Sequence, residues 1–280
     1  MNKSGILCLY KPKGLTSFDA IHKVKRKFGV KTGHSGTLDP EAEGILIVAI
    51  NNATKALPYI GVSDKVYEAT LTLGLKTDTG DIWGEVVEKQ TLCDLDENHV
   101  KAVVLSMVGK MKQRVPSVSA KKINGKKLYE YHRQNQAVET LYTDIEIYAI
   151  EFLWFDGQNI CFRAHVSNGT YIRTLCEDIA EKLETIGSMS SLLRSKVGNF
   201  TLKDAHLLED IECLDEVLLP TKDNIALPVI KDTQFQTPIL HGKRFDLPTD
   251  EDLVFVDCGE VFAVCERTEE GNFRVKRGLW

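Results

Sequence analysis

Nowhere in these 280 residues does an uninterrupted apolar stretch approach the length of a membrane-spanning helix. The apolar run near the start, Ile6 to Tyr10, is also too short for a secretory signal. There is no Cys-x-x-Cys pair among the seven cysteines, and the histidines show no metal-ligand spacing, so neither a zinc site nor a disulfide framework is indicated. Reduced thiols buried in a cytoplasmic protein are the expectation. Disorder-like composition is absent, and the length suffices for one large domain or a large domain with a small partner. An excess of positive charge is missing too: the net charge of −5 at first counts against a polyanionic partner. Its distribution changes that judgement. From residue 200 onward there are 17 acidic and 9 basic residues, whereas the preceding part carries 26 basic against 23 acidic. The acidic tail hides a basic body, with positive charge clustered in Lys11 to Lys31 and Lys110 to Arg133.

What is present reads as alternating strands and helices. Ile6 to Tyr10 is a strand, and Ser17 caps a helix with an apolar face of Ala20, Ile21, Val24 and Phe28, stopped by Gly29. A strand at Ile45 to Ile50 and a short helix near Thr54 to Tyr59 follow. Tyr67, Ala69, Leu71 and Leu73 alternate with polar residues, which predicts a half-buried strand with Tyr67 toward the apolar face. Val86 and Val87 suggest a partner strand, and Val100 to Val108 a helix. Tyr142 to Phe155 and Ile160 to Val166 form a predicted hairpin around Gly157, and Thr170 to about Leu183 a helix. Val115 to Gln136 lacks periodicity and is rich in lysine, so it reads as an insertion that is mobile or ordered by a polyanionic partner. The fold class expected is α+β, a mixed and mainly antiparallel sheet with flanking helices. Short strands beyond residue 228 predict a small appended β-barrel.

Residues 33 to 44, Gly-His-Ser-Gly-Thr-Leu-Asp-Pro-Glu-Ala-Glu-Gly, mount one carboxylate, Asp39, on a glycine-rich loop beside His34. Gly33, Gly36 and Gly44 permit unusual backbone angles and Pro40 biases Asp39 away from helix, an arrangement suited to a catalytic acid and equally to an ordinary turn. Taken whole, the string resembles the signature loop of the bacterial tRNA pseudouridine synthase B (TruB) family. Further stretches follow in the family's order. Lys11-Pro12-Lys13-Gly14-Leu15-Thr16-Ser17 is similar to its first motif, and Lys65-Val66-Tyr67 to the strand bearing its active-site tyrosine. Ser119-Ala120-Lys121-Lys122 with Gly125-Lys126-Lys127-Leu128-Tyr129-Glu130-Tyr131 resembles its basic middle segment, Gly169-Thr170-Tyr171-Ile172-Arg173 its tyrosine-arginine motif, and Leu192-Leu193-Arg194 its last active-site element.

The resemblance implies a catalytic domain over residues 1–227 with the pseudouridine synthase fold and an RNA-binding insertion at about 110–136. It implies a small PUA-like domain over 228–280. It also implies an isomerase that converts uridine 55 in the T-loop of tRNA to pseudouridine, with Asp39 as the essential carboxylate and no cofactor or metal. By the same resemblance Arg173 pairs with Asp39 and keeps it ionised, while Tyr67 stacks on the flipped uracil and handles its proton. His34 enters the space the base leaves, and Tyr171 and Leu192 wall the pocket. Lys13, Lys121 and Lys122 are expected at phosphates, the last two beside tyrosines that favour RNA. A monomer with no protein partner and no membrane contact is expected. Two alternatives stay open here: an RNA-guided relative working in a ribonucleoprotein, and a tRNA-binding folding helper with incidental catalysis.

Overall fold

The computed structural model describes residues 4–119, 121–123, 125–134, 136 and 138–280; the first three residues and Ala120 of the basic segment lie outside the described residues. The chain divides into two compact units. One joins Met1–Pro40, Gly44–Val62 and Asn199–Trp280, and the other Glu41–Glu43 and Ser63–Gly198.

The first unit begins with β1 (Gly5–Lys11), α1 (Ser17–Phe28), β2 (Thr32–Ser35) and β3 (Glu43–Ile50). β3 runs antiparallel between β1 and β2. The predicted limits of α1 hold, but its cap is Thr16: the Thr16 hydroxyl accepts from Asp19 N and the Asp19 carboxylate accepts from Thr16 N, a reciprocal box. Ser17, expected as the cap, is instead buried as the first helical residue. Gly29 ends the helix in the left-handed region at φ 66°, where a β-carbon is unwelcome. Ala20, Ile21 and Val24 pack onto Leu7, Leu9, Leu46, Val48 and Ile50. A 3-10 helix over Asn51–Tyr59 occupies the place of the predicted short helix.

The second unit contains β4 (Asp64–Leu73), β5 (Leu75–Thr77), β6 (Val86–Lys89), α2 (Glu97–Leu105), β7 (Gly109–Arg114), β8 (Lys122–Ile123), β9 (Lys126–Lys127), α3 (Leu128–Arg133), β10 (Tyr142–Phe155), β11 (Asn159–Ser167), α4 (Ile172–Lys182) and β12 (Gly187–Val197). Its main sheet has the order β12-β4-β11-β10-β7, and every pairing in it is antiparallel. β4 alternates buried and half-buried residues along its whole length, as the two-residue period predicts. α4 buries Ile172, Leu175, Cys176 and Ile179. The helix predicted at Val100 to Val108 starts earlier, where Asp96 caps it by accepting from His99 N, and ends at Leu105.

Beyond residue 199 the first unit resumes with β13 (Phe200–Thr201), α5 (Leu214–Val217), β14 (Val229–Lys231), α6 (Gln236–Leu240), β15 (Leu253–Asp257), β16 (Phe262–Arg267) and β17 (Phe273–Gly278). β14 to β17 form a four-stranded sheet in which β14 is parallel to β15 and the other neighbours are antiparallel. It has its own core of Phe235, Ile239, Val254, Val256, Ala263, Cys265 and Phe273. The α+β class with a mainly antiparallel sheet is therefore observed. All seven cysteines are free thiols, and burial pushes that of Cys265 up to about 12. Among the described residues, no helix is long and apolar enough to cross a membrane.

Candidate active site

In the first unit, β1 delivers Lys11 to the start of the Pro12–Gly14 turn, and its side chain is wholly buried. A buried ammonium needs acceptors. Lys11 Nζ donates to Pro12 O at 3.0 Å, Leu15 O at 2.7 Å and Pro40 O at 3.0 Å, so it ties the turn to the peptide that follows Asp39. Gly14 N donates to the same Pro40 carbonyl at 3.0 Å. On the other side of Asp39, Leu38 N donates to Ser17 Oγ at 2.8 Å, and Ser17 Oγ donates back to Leu38 O at 3.0 Å. Asp39 itself is half-buried between the buried Leu38 and the exposed Pro40. Its backbone is thus held on both sides by buried polar groups. His34 sits on β2 opposite Val48, half-buried, and Lys13 is exposed in the turn. Gly33 precedes His34 because a β-carbon there would meet Leu57 Cδ1 at 2.9 Å.

In the second unit, Tyr67 lies on β4 between Ala164 of β11 and Arg194 of β12, and it is 7% exposed. Residues two apart on a strand share a face, and so do directly paired residues. Lys65, Tyr67, Leu192 and Arg194 consequently share one face, all of them buried. Lys65 Nζ donates to Asn168 Oδ1 at 3.0 Å. Burial, and then the Arg194 charge, bring its ammonium down to about 8 against the opposing pull of Asp64.

α4 begins directly after Tyr171, which occupies the N-cap position without a side-chain cap. Gln113 of β7 serves instead: its Oε1 accepts from Tyr171 N and its Nε2 donates to Tyr171 O. Arg173 follows in the first helical turn, where the helix dipole disfavours a cation. The structure answers that misfit with acceptors. Its Nη1 donates to Thr79 O and its Nη2 to Val118 O, both at 2.8 Å, and the Asp81 carboxylate lies 3.8 Å away. Asp81 in turn accepts from Thr79 Oγ1 at 2.8 Å and Trp83 N at 3.2 Å, closing the turn that presents those acceptors.

Lys122 opens the β8–β9 hairpin and Lys121 directly precedes it, neither on the sheet face bearing Tyr67; Lys122 is exposed and Lys121 half-buried. Lys126 lies over the Tyr131 ring, 4.3 Å from its centroid, and Lys127 over Tyr129 at 5.3 Å, so two tyrosines of this segment pack on its own lysines. Among the described residues, no cluster of His, Cys, Asp and Glu could hold a metal ion.

Each unit thus gathers its own share of the expected residues: Lys13, His34 and Asp39 in the first, Tyr67, Tyr171, Arg173 and Leu192 in the second. Lys11, Lys65 and Arg194 stand within motifs quoted from the sequence but carry no role of their own there, and Gln113 lies outside those motifs. The two-residue period that places Tyr67 on the apolar face places Lys65 there as well, and a lysine at the end of an apolar strand is a comparable signal for Lys11. Gln113 carried no signal, because its partner is a backbone group far along the chain.

Profiles of known families match this chain over most of its length. The N-terminal domain of the TruB family pseudouridylate synthases matches residues 22–172, and the C-terminal domain of tRNA pseudouridylate synthase B matches residues 173–225. The chain is similar to the tRNA pseudouridine synthase B of Oceanobacillus iheyensis, with 38% identity over 291 residues that cover 97% of this chain and 95% of that protein. It is 38% identical over 284 residues to the protein of the same name from Mesoplasma florum, covering 99% of each. Among solved structures, a chain of a Cbf5-Nop10-Gar1 complex shares the fold, with a TM-score of 0.75 at 23% identity, covering 99% of this chain and 85% of that one. With its motif order and these matches, the chain belongs to the TruB family of pseudouridylate synthases.

Proposed function

We propose that this enzyme isomerises uridine to pseudouridine in tRNA, at position 55 of the T-loop, as a cytoplasmic monomer that needs no metal or cofactor. The similar proteins from Oceanobacillus iheyensis and Mesoplasma florum bear the name tRNA pseudouridine synthase B, which supports tRNA as the substrate class. The observation that carries the assignment of chemistry is the Asp39 loop, whose backbone is held by Lys11 on one side and Ser17 on the other. A carboxylate mounted this rigidly loses little freedom on meeting a nucleotide.

The reaction breaks the bond between ribose C1′ and uracil N1, turns the base, and joins C1′ to C5. The proton on C5 must leave and N1 must gain one. Asp39 acts at the ribose-base junction as the essential carboxylate. Tyr67 stacks on the flipped uracil and handles the C5 proton, and Arg173 supplies positive charge that favours an ionised carboxylate. His34 fills the space vacated by the base, which offsets part of an unstacking cost of a few kcal/mol. Tyr171 and Leu192 wall the base, and Lys13, Lys121 and Lys122 meet phosphates.

Tritium release from tRNA labelled at uridine C5 tests this reading. Wild type is expected to release label from position 55 while Asp39→Asn releases none yet binds the RNA within a few-fold, because phosphate contacts dominate affinity. Release by Asp39→Asn at the wild-type rate would remove Asp39 from the chemistry. A wild type that binds tRNA without releasing label would remove the activity itself.

A further inference from the structure

Helix α1 carries a stripe that the proposed chemistry leaves without a task. Phe18, His22 and Lys25 recur at intervals of four and three residues, which sets them along one side of the helix, and all three are exposed. Phe18 is 61% exposed, and its ring lies 4.2 Å from that of His22 at a tilt of 37°. The opposite side of the helix is accounted for, since Ala20, Ile21 and Val24 are buried in the core of the unit. Beside the stripe the chain returns through Gly29 to Thr32, and a groove of about 470 Å³ runs between the two, lined by Phe18, His22, Lys25, Lys31 and Thr32 with Ile21 at its floor.

The groove is charged in one sense. No carboxylate lines it among the described residues. α1 carries Lys23, Lys25, Arg26 and Lys27 against a single acid, Asp19, which Thr16 retains in the capping box. The groove is also linked to the loop of Asp39 through the strand and the helix start that flank it. Thr32, part of its lining, opens the strand that bears His34, and its hydroxyl donates to Ile21 O at 3.3 Å. Ser17, adjacent to Phe18, exchanges hydrogen bonds with Leu38, adjacent to Asp39.

We propose, on the reading of this protein as a tRNA-modifying enzyme, that the groove is a second RNA-contact surface, in which Phe18 and His22 stack on an unpaired base near the target uridine while Lys25 and Lys31 neutralise the phosphates beside it. Exposed rings interleaved with cations form a platform of this kind, because every base has a stacking face and every nucleotide brings an anion. Extruding the uridine frees neighbouring bases from their own stack, which supplies the occupant. A protein partner would have to bring a carboxylate to each of Lys25 and Lys31, which the groove does not supply, whereas every nucleotide of an RNA brings an anion.

The test is affinity for a T-arm RNA hairpin, measured by fluorescence anisotropy across a range of salt concentrations on the full chain. Lys25→Glu/Lys31→Glu is expected to weaken binding by about tenfold or more and to flatten the slope of log K against log salt by about 1 to 2. Phe18→Ala is expected to weaken binding by about tenfold with little change in slope, as loss of a stacked base does. Lys89→Glu/Lys101→Glu makes the same charge change at exposed positions on β6 and α2 and is expected to bind like wild type. Groove variants indistinguishable from wild type would overturn the proposal, and so would a charge control that weakens binding equally. A wild type that neither binds nor modifies the hairpin would bring down the tRNA-modifying reading and this surface together, whereas an active wild type with indifferent groove variants sinks only the groove.

Discussion

Gln113 and Tyr171 are joined by a reciprocal pair of hydrogen bonds, Nε2 to Tyr171 O at 3.0 Å and Tyr171 N to Oε1 at 2.8 Å. The side-chain amide acts as a short piece of backbone and serves the N-terminus of α4, which has no side-chain cap of its own. Gln113 is 1% exposed, and its loss would leave Tyr171 N without its acceptor, while Tyr171 O keeps the bond it accepts from Leu175 N. Gln113→Leu should lower unfolding free energy by on the order of 2–3 kcal/mol. Turnover should fall with it, because Arg173 lies two residues into the same helix. Urea unfolding checks the first effect, and a midpoint equal to wild type would show that the pair does not hold the helix start.

From a fully buried position Lys11 ties the Asp39 loop, through Pro40 O, to its own turn, through Pro12 O and Leu15 O. Lys11→Met keeps the length and much of the volume of the stem but offers those carbonyls no donor. A loss of about 2 kcal/mol or more is expected in thermal unfolding. A larger drop in kcat than rise in KM should accompany it, since the loop that carries the carboxylate would loosen while the exposed cations stay in place. A pure KM effect would instead place Lys11 among the RNA contacts.

Asp178 titrates at about 6, raised first by burial and then by the neighbouring Glu177. A carboxyl whose folded pKa lies above its unfolded value stabilises the fold while protonated, and that contribution is lost as pH rises from about 4 to about 6. At pH 7.5 the buried charge is a cost. Asp178→Asn should therefore raise unfolding free energy by about 1 kcal/mol at pH 7.5, discounted for partial exposure, with the gain vanishing at pH 4. Denaturation at the two pH values decides it, and an equal effect at both would exclude titration as the cause.

Tyr67 is buried as a ring on the face of β4 that also bears Lys65 and Arg194. Tyr67→Phe retains the ring and should leave the unfolding midpoint within about 1 kcal/mol. Loss of the hydroxyl should slow single-turnover tritium release by about 100-fold if it handles the C5 proton. Turnover near wild type would restrict Tyr67 to stacking.

Local signals located most of the elements. α1 shows this best: its apolar spacing and terminal glycine set its limits in advance, and only its cap moved by one residue, because Ser17 is claimed by Leu38. β4 was equally plain, since one buried face imposes a two-residue alternation. Strands β2, β7 and β12 were not assigned as strands. β2 spans four residues, and β7 is lysine-rich with one buried residue, Gln113. β12 is interrupted by register shifts after Met189 and Arg194, which spoil a simple alternation.

The sequence by itself determined the Asp39 loop, the order of the motifs and the basic character of the first 199 residues, because glycine, proline and charge act through neighbours a few residues away. Only the tertiary structure decided which polar groups are buried and what answers them. Lys11 is paired with a carbonyl 29 residues away, Gln113 with a backbone 58 residues away and Arg173 with a carbonyl 94 residues away. A buried charge must find its acceptors wherever the fold brings them, and no local pattern in the chain records that meeting.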